Sequence, residues 1–142
     1  MSAPLHVAEP PAQYLARPAL VIDCSVLAGL VFREVWFDAA QGHIEGHTLH
    51  APHLLMQEIS SVTLKKIRRN EAHALPGFEQ ALQMAIELHG IDTAQSFALA
   101  QRYQLTAYDA SYLWLAAELK CPLATFDEQL AQAARLHLAT LG

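Results

Sequence analysis

The sequence has only two cysteines in 142 residues, Cys24 and Cys121, far apart and in no Cys-x-x-Cys pair. That argues against a disulfide framework and a structural zinc site of the usual spacing, and leaves two small apolar side chains in a reducing cytosol. No apolar run reaches the roughly 18 residues of a membrane span. The start lacks the basic n-region and long apolar h-region of a signal peptide. These absences describe a soluble cytoplasmic protein that makes no use of a membrane. Charge is scarce too, at 16% of residues, with 9 Lys and Arg against 14 Asp and Glu and a formal net charge of −5. A broad basic face that coats nucleic acid is thereby excluded, but an enzyme that touches nucleic acid briefly is not. Repeats, low-complexity tracts and long linkers are missing as well.

What is present is a core-rich composition, 53% hydrophobic, at the length of one compact domain. Residues 1–18 carry Pro4, Pro10, Pro11 and Pro18 and read as an extended leader; residues 19–142 read as the folded domain. Ala19 to Ile22 predicts a short buried strand ended by Asp23, with a helix over 25–40 behind it. Thr48 to Ala51 predicts a second strand, and a helix follows from His53 to about Arg69. Pro76-Gly77 predicts a break, and Phe78, Leu82, Ala85 and Ile86 a helix ended by Gly90. Ile91 to Thr93 is expected as a short strand, 94–103 as a helix, and Asp109 as the opening of a helix through Leu119. Pro122 to Phe126 predicts another apolar strand ended by an acid, Asp127. A helix over 128–135 and a final strand over 136–141 complete the chain. Strands alternating with helices imply an α/β fold with a parallel sheet between helix layers, and a functional crevice beyond the carboxyl ends of the strands.

Asp23 and Asp127 each stand where a strand gives way to a helix, and Asp109 stands at a helix start. Each alone is a good N-cap. Asp23 and Asp127, however, end wholly apolar runs, which puts both at the crevice, where they repel each other unless a cation or protons intervene. Glu58 lies inside the helix from His53, beside its apolar stripe. Carboxylates gathered in one crevice suit Mg²⁺ or Mn²⁺, hard ions that take oxygen ligands and activate water against a phosphodiester.

At these residues the sequence resembles the PIN-domain ribonucleases, and among them the VapC-type toxins of toxin–antitoxin pairs. Four segments carry the resemblance: 20–27, with Asp23 and Ser25; Ala51-Pro52 followed by Glu58; 103–113, with Asp109; and 123–130, with Thr125 and Asp127. It spans about residues 19–141. The resemblance implies a three-layer α/β/α fold and an Mg²⁺- or Mn²⁺-dependent endoribonuclease. In it Asp23, Glu58, Asp109 and Asp127 are the catalytic and metal-holding acids, and Ser25 and Thr125 support them. It also implies an RNA substrate, an antitoxin partner and a homodimer. One position departs from the family: three residues after Glu58, where Asn is frequent, stands Ser61.

Lys65, Lys66, Arg68 and Arg69 cluster at the end of the Glu58 helix, either as a solvated helix end or as an edge that contacts RNA phosphates. His43, His47, His50 and His53 are dense but irregularly spaced, and are expected as exposed polar residues near a loop rather than a metal site. Trp36, Phe37 and the Leu55–Ile59–Val62 stripe are expected in the core. Two rival readings stand beside the nuclease. One is a PIN-like module that binds metal or RNA without cutting. The other is a phosphatase with Asp23 as nucleophile, which wants a second acid where Ser25 stands.

Overall fold

The computed structural model describes residues 3–11 and 18–141. Five strands form one sheet in the order β1-β5-β2-β3-β4, with β1 (His6–Ala8), β2 (Ala19–Ile22), β3 (Thr48–Pro52), β4 (Ile86–His89) and β5 (Leu123–Thr125). Only β1 runs antiparallel, on β5; the other pairs are parallel. The central strand β2 is apolar throughout because helices cover both of its faces, and Leu20, Val21 and Ile22 are all fully buried. One helical group is α1 (Cys24–Val31), α2 (Phe37–Ile44), α3 (Leu54–Arg68) and α4 (Ala74–Gln83). The other is α5 (Thr93–Tyr103), α6 (Ala107–Leu119) and α7 (Glu128–Leu138). Helix α6 packs on β2, β3 and β5, while α1 and α3 reach the sheet from the first group. This is the α/β arrangement expected from the sequence, and no helix among the described residues is long and apolar enough to cross a membrane.

The topology fixes where chemistry can sit. From β2 the chain moves to β3 and β4, then crosses back to place β5 on the opposite side of β2. The switch point therefore lies between β2 and β5, at their carboxyl ends, where Asp23 and Asp127 follow the last strand residues.

Several elements differ from the sequence expectation. The helix over 25–40 is two helices. Arg33 takes a left-handed φ of 51° after α1, and the Trp36 indole folds back over Gly29, where a Cβ would lie 2.4 Å from Trp36 Nε1. Neither Gly nor Pro marks this turn, so apolar spacing runs on across it. Pro76-Gly77 is no break but lies in the first turn of α4, where a proline costs nothing because the N–H has no helical partner. The helix expected to run to Gly90 stops at Gln83, and 86–89 is the edge strand β4, whose Ile-Glu-Leu-His alternation has period 2. Residues 91–93 form no strand, though Asp92 does cap α5, accepting from Gln95 N at 2.9 Å. Helix α6 opens at Ala107 with Thr106 as cap, not at Asp109. The final strand is instead the end of α7, because Leu138 continues the buried stripe of Leu130 and Ala134. The proline-rich start contributes β1. Residues 12–17 of that leader lie outside the described residues. Leu55 and Ile59 are buried as expected, and Trp36, Phe37 and Val62 are half-buried.

Gly77 is where α4 meets the end of α1: a Cβ there would lie 2.6 Å from the Val31 carbonyl oxygen and 2.6 Å from Phe32 Cδ1. Overpacking of this kind costs about 1–3 kcal/mol, more than the ~0.8–1.0 kcal/mol alanine gains over glycine in a helix. Gly77→Ala should therefore lower the thermal midpoint by several degrees; a midpoint at or above wild type would mean that α1 and α4 do not touch there.

Candidate active site

Asp23 is the most constrained acid in the chain. It ends β2, is only 6% exposed, and caps α1 by accepting from Val26 N at 3.2 Å. Ser25 Oγ donates to its Oδ1 at 2.6 Å and Thr125 Oγ1 donates to its Oδ2 at 2.5 Å. Both hydroxyls also accept: Ser25 Oγ from Phe126 N at 2.9 Å, and Thr125 Oγ1 from Asp127 N at 2.9 Å. The two hydroxyls thus bolt the end of β2 to the end of β5. Three of the roughly four lone-pair positions of the Asp23 carboxylate are engaged. With both oxygens held by hydroxyls, Asp23 is poorly placed as a free nucleophile, which counts against the phosphatase reading.

The other three acids reach the same place from separate elements. Asp127 caps α7, accepting from Leu130 N at 3.0 Å. Asp109 is in the first turn of α6, and because Thr106 Oγ1 accepts its N–H at 3.0 Å, the cap is filled by another side chain. Glu58 projects from α3 and accepts from the Tyr112 hydroxyl at 2.5 Å.

Their titration records the crowding. Burial, opposed by the three hydrogen bonds and helped by Asp109, raises Asp23 to about 6. Burial, then Asp127, then Glu58 raise Asp109 to about 6. Burial also raises Glu58, with the Tyr112 hydrogen bond pulling the other way. Among the described residues no basic side chain is one of the groups that shift these acids. Cys24 lies against the cluster, and burial, Glu58 and Asp23 push its thiol up to about 12, so it stays protonated. The donors on offer are carboxylate oxygens, which fits a hard divalent cation and no soft one. Their oxygens are spread apart: among the described residues no three of these acids bring ligand atoms within 4.8 Å of one another.

Tyr112 is the residue the sequence reading left without a role. It is buried, so its hydroxyl needs a partner, and burial followed by Glu58 holds that phenol far above its ordinary value. It stands three residues after Asp109 on one helix face, which was the available signal.

Beside Glu58 opens a groove of about 500 Å³ whose lining includes Gln57, Ser61, Lys65 and the exposed Tyr108. The four basic residues do not act as one set. Lys65 lines the groove, whereas Lys66 Nζ is tied to Glu34 Oε1 at 2.9 Å and Glu71 Oε1 at 3.2 Å. Arg68 and Arg69 are exposed at the end of α3. The four histidines scatter as well: His43 and His47 stack at 6.4 Å, and His53 is exposed just before α3. His50 is no loop residue. It sits in β3 with a side chain 11% exposed, and it pairs with His89.

The sequence model of the PIN domain matches residues 20–136. Ribonuclease VapC3 of Pyrobaculum aerophilum is 31% identical over 121 residues, 80% of this chain and 92% of its own length. Ribonuclease VapC9 of Mycobacterium tuberculosis is 31% identical over 116 residues, 79% of this chain and 88% of its own. The crystal structure of PAE2754 from Pyrobaculum aerophilum is similar with a TM-score of 0.63, at 23% identity, over 82% of this chain and 86% of that one. The structure of VapC20 from Mycobacterium tuberculosis, described as a sarcin-ricin loop cleaving toxin, is similar with a TM-score of 0.54, at 12% identity, over 72% of this chain and 85% of that one. At those identities the two structures speak for the fold.

The raised acids set a pH dependence. An unfolded Asp23 titrates near 3.8 and the folded one near 6, so the folded state holds the extra proton between those values. Its contribution to stability is full below about pH 4 and is lost as pH rises through about 6, by about 3 kcal/mol at ~1.4 kcal/mol per unit. In EDTA, wild-type stability should fall over that window, and Asp23→Asn should be the more stable chain at pH 7 and not at pH 4. Denaturant unfolding at both pH values checks this, and parallel wild-type and variant profiles would contradict it.

Proposed function

The chain belongs to the PIN domain family, and from that premise we propose that it is a metal-dependent endoribonuclease, the toxin of a toxin–antitoxin pair. The observation that carries this reading is the convergence of four carboxylates from β2, α3, α6 and the end of β5 at the sheet's switch point, where burial and neighbouring acids raise Asp23 and Asp109. Relatives at 31% identity are named ribonucleases, which supports RNA as the substrate. Mg²⁺ or Mn²⁺ bound among these acids supplies a Lewis acid for a phosphoryl oxygen and makes water a stronger nucleophile at neutral pH.

The chain's own residues divide the remaining work. Asp23, Asp109 and Asp127 hold the ion, and Glu58 either joins them or orients the attacking water. Ser25 and Thr125 keep both oxygens of Asp23 in place. Tyr112 is a positioning residue, since it acts through Glu58. Lys65 on the groove beside Glu58 contacts a substrate phosphate, with Arg68 and Arg69 farther along α3, while Lys66 serves the fold. The toxin reading brings an antitoxin protein and a second copy of this chain as partners, and cytoplasmic RNA as the substrate pool. An apolar groove of about 210 Å³ lies between α3 and α4, with Leu64, Ile67, Leu75 and Phe78 in its lining.

Cleavage of a mixed RNA pool in Mg²⁺ tests the proposal. EDTA should abolish it and excess Mg²⁺ restore it. Asp23→Asn and Asp109→Asn should each reduce the rate ~100-fold or more, beyond the 10- to 100-fold typical when only an outer-shell partner of a metal ligand is lost. Tyr112→Phe should cost less and shift the pH–rate profile, as loss of a positioning hydrogen bond to Glu58 requires. An Asp23→Asn variant that cuts like wild type sinks the site assignment. Wild-type protein that binds Mn²⁺ but leaves RNA intact, with no antitoxin present, would establish the non-cleaving reading instead.

A further inference from the structure

Away from the acids, on the sheet's β3–β4 edge, three side chains present ligand atoms to one point. His50 and Glu87 are directly opposite each other in the parallel pairing of β3 and β4, and His89 stands two residues past Glu87, on the same side of its strand. His50 Nδ1 lies 2.9 Å from His89 Nε2 and 3.4 Å from Glu87 Oε2. Among the described residues this is the one group of three or more His, Cys, Asp or Glu whose ligand atoms all lie within 4.8 Å of one another. We infer that His50, Glu87 and His89 form a second metal site, for a Zn²⁺-class ion, that fastens the edge strand β4 to β3.

The donor set selects the ion. Two imidazole nitrogens and one carboxylate suit Zn²⁺, Ni²⁺ or Cu²⁺, whereas Mg²⁺ prefers oxygen and water. At Zn–N bonds of ~2.0–2.1 Å, two ligand atoms of a tetrahedral site stand about 3.4 Å apart. The His50–Glu87 separation already has that value, and the two rings need to part by about half an ångström. The support around the ligands is in place. Thr48 Oγ1 lies 3.2 Å from His50 Nε2 and holds that ring from behind, as partners of ligating histidines commonly do. The His89 carbonyl accepts from His53 N at 3.1 Å, which fixes the end of β4. All three ligands stand on regular strands rather than on loops, so little ordering remains to be done. Glu87 is 74% exposed, which leaves the solvent side open for a water as fourth ligand. The ion takes the place of the hydrogen between the two rings; His50 then carries its proton on Nε2, where Thr48 Oγ1 accepts it, and His89 carries its own on Nδ1.

The test uses the full chain, stripped with EDTA and returned to excess Mg²⁺ so that the acids are saturated. Zn²⁺ alone is titrated by calorimetry, with the imidazole resonances followed by NMR. The expected result is one Zn²⁺ per chain, shifted His50 and His89 signals, and a raised thermal midpoint. His50→Ala and His89→Ala should each weaken binding about 100-fold or more. Glu87→Gln, at an exposed position that leaves the fold alone, should weaken it by a smaller factor. Asp23→Asn should bind Zn²⁺ like wild type, which separates this site from the acidic one. Zn²⁺ binding that survives His89→Ala, that disappears in Asp23→Asn, or that leaves the His50 and His89 resonances unmoved would overturn the inference, and the two rings would then be a plain hydrogen-bonded pair.

Discussion

The buried carboxylate of Asp23 is the constraint on which the other features depend. A charge that is 6% exposed survives only if its oxygens are satisfied, and here the satisfying hydroxyls come from the first turn of α1 and the end of β5. Ser25 and Thr125 each hold Asp23 with one hydrogen bond and the β5–α7 turn with another. The same four hydrogen bonds therefore close the switch point and aim the acid. Loss of either hydroxyl removes a charge-assisted bond and leaves a backbone N–H searching for an acceptor, so neither is a neutral position.

Function and stability pull against each other at this point. Asp109 is raised by burial and then by Asp127 and Glu58, and Asp23 by burial and then, weakly, by Asp109. Nothing in the packing demands four acids there, because Thr106 already caps α6 and a neutral side chain could cap α7. Repulsion among carboxylates is the sort of local inconsistency that marks a site kept for chemistry. A divalent cation held by these acids would resolve it, and its binding would then be coupled to the rigidity of that edge of the sheet.

Much of this was legible in the residues, and the exceptions have physical reasons. The apolar runs 19–22 and 122–126 each end at an acid, so the placement of Asp23 and Asp127 at the ends of neighbouring strands followed from the residues alone. Glu58 and Asp109 needed the family resemblance, since a glutamate in a helix and an aspartate near a helix start have ordinary explanations. The division of α1 from α2 was invisible because Arg33, a non-glycine, takes the left-handed turn. Strand β4 was hidden by Ile86, which fits a helical stripe as well as a strand. The Tyr112–Glu58 bond spans 54 positions and the His50–His89 pair 39, and no local pattern announces contacts of that range. Lys66 looked like its basic neighbours, and only its ion pairs to Glu34 and Glu71 set it apart.

The bond from Thr125 to Asp23 joins residues 102 positions apart. A ribosome releases this chain amino end first, so β2 and Asp23 wait until Thr125 has been made before their clamp can close. Strand β1 waits as well, since its partner is β5. Shorter nascent chains hold an aspartate with no hydroxyl from β5 and no Asp127, and so lack a complete acidic centre. The four acids therefore come together only after β5 and Asp127 have been made, and no nascent chain shorter than that carries them all.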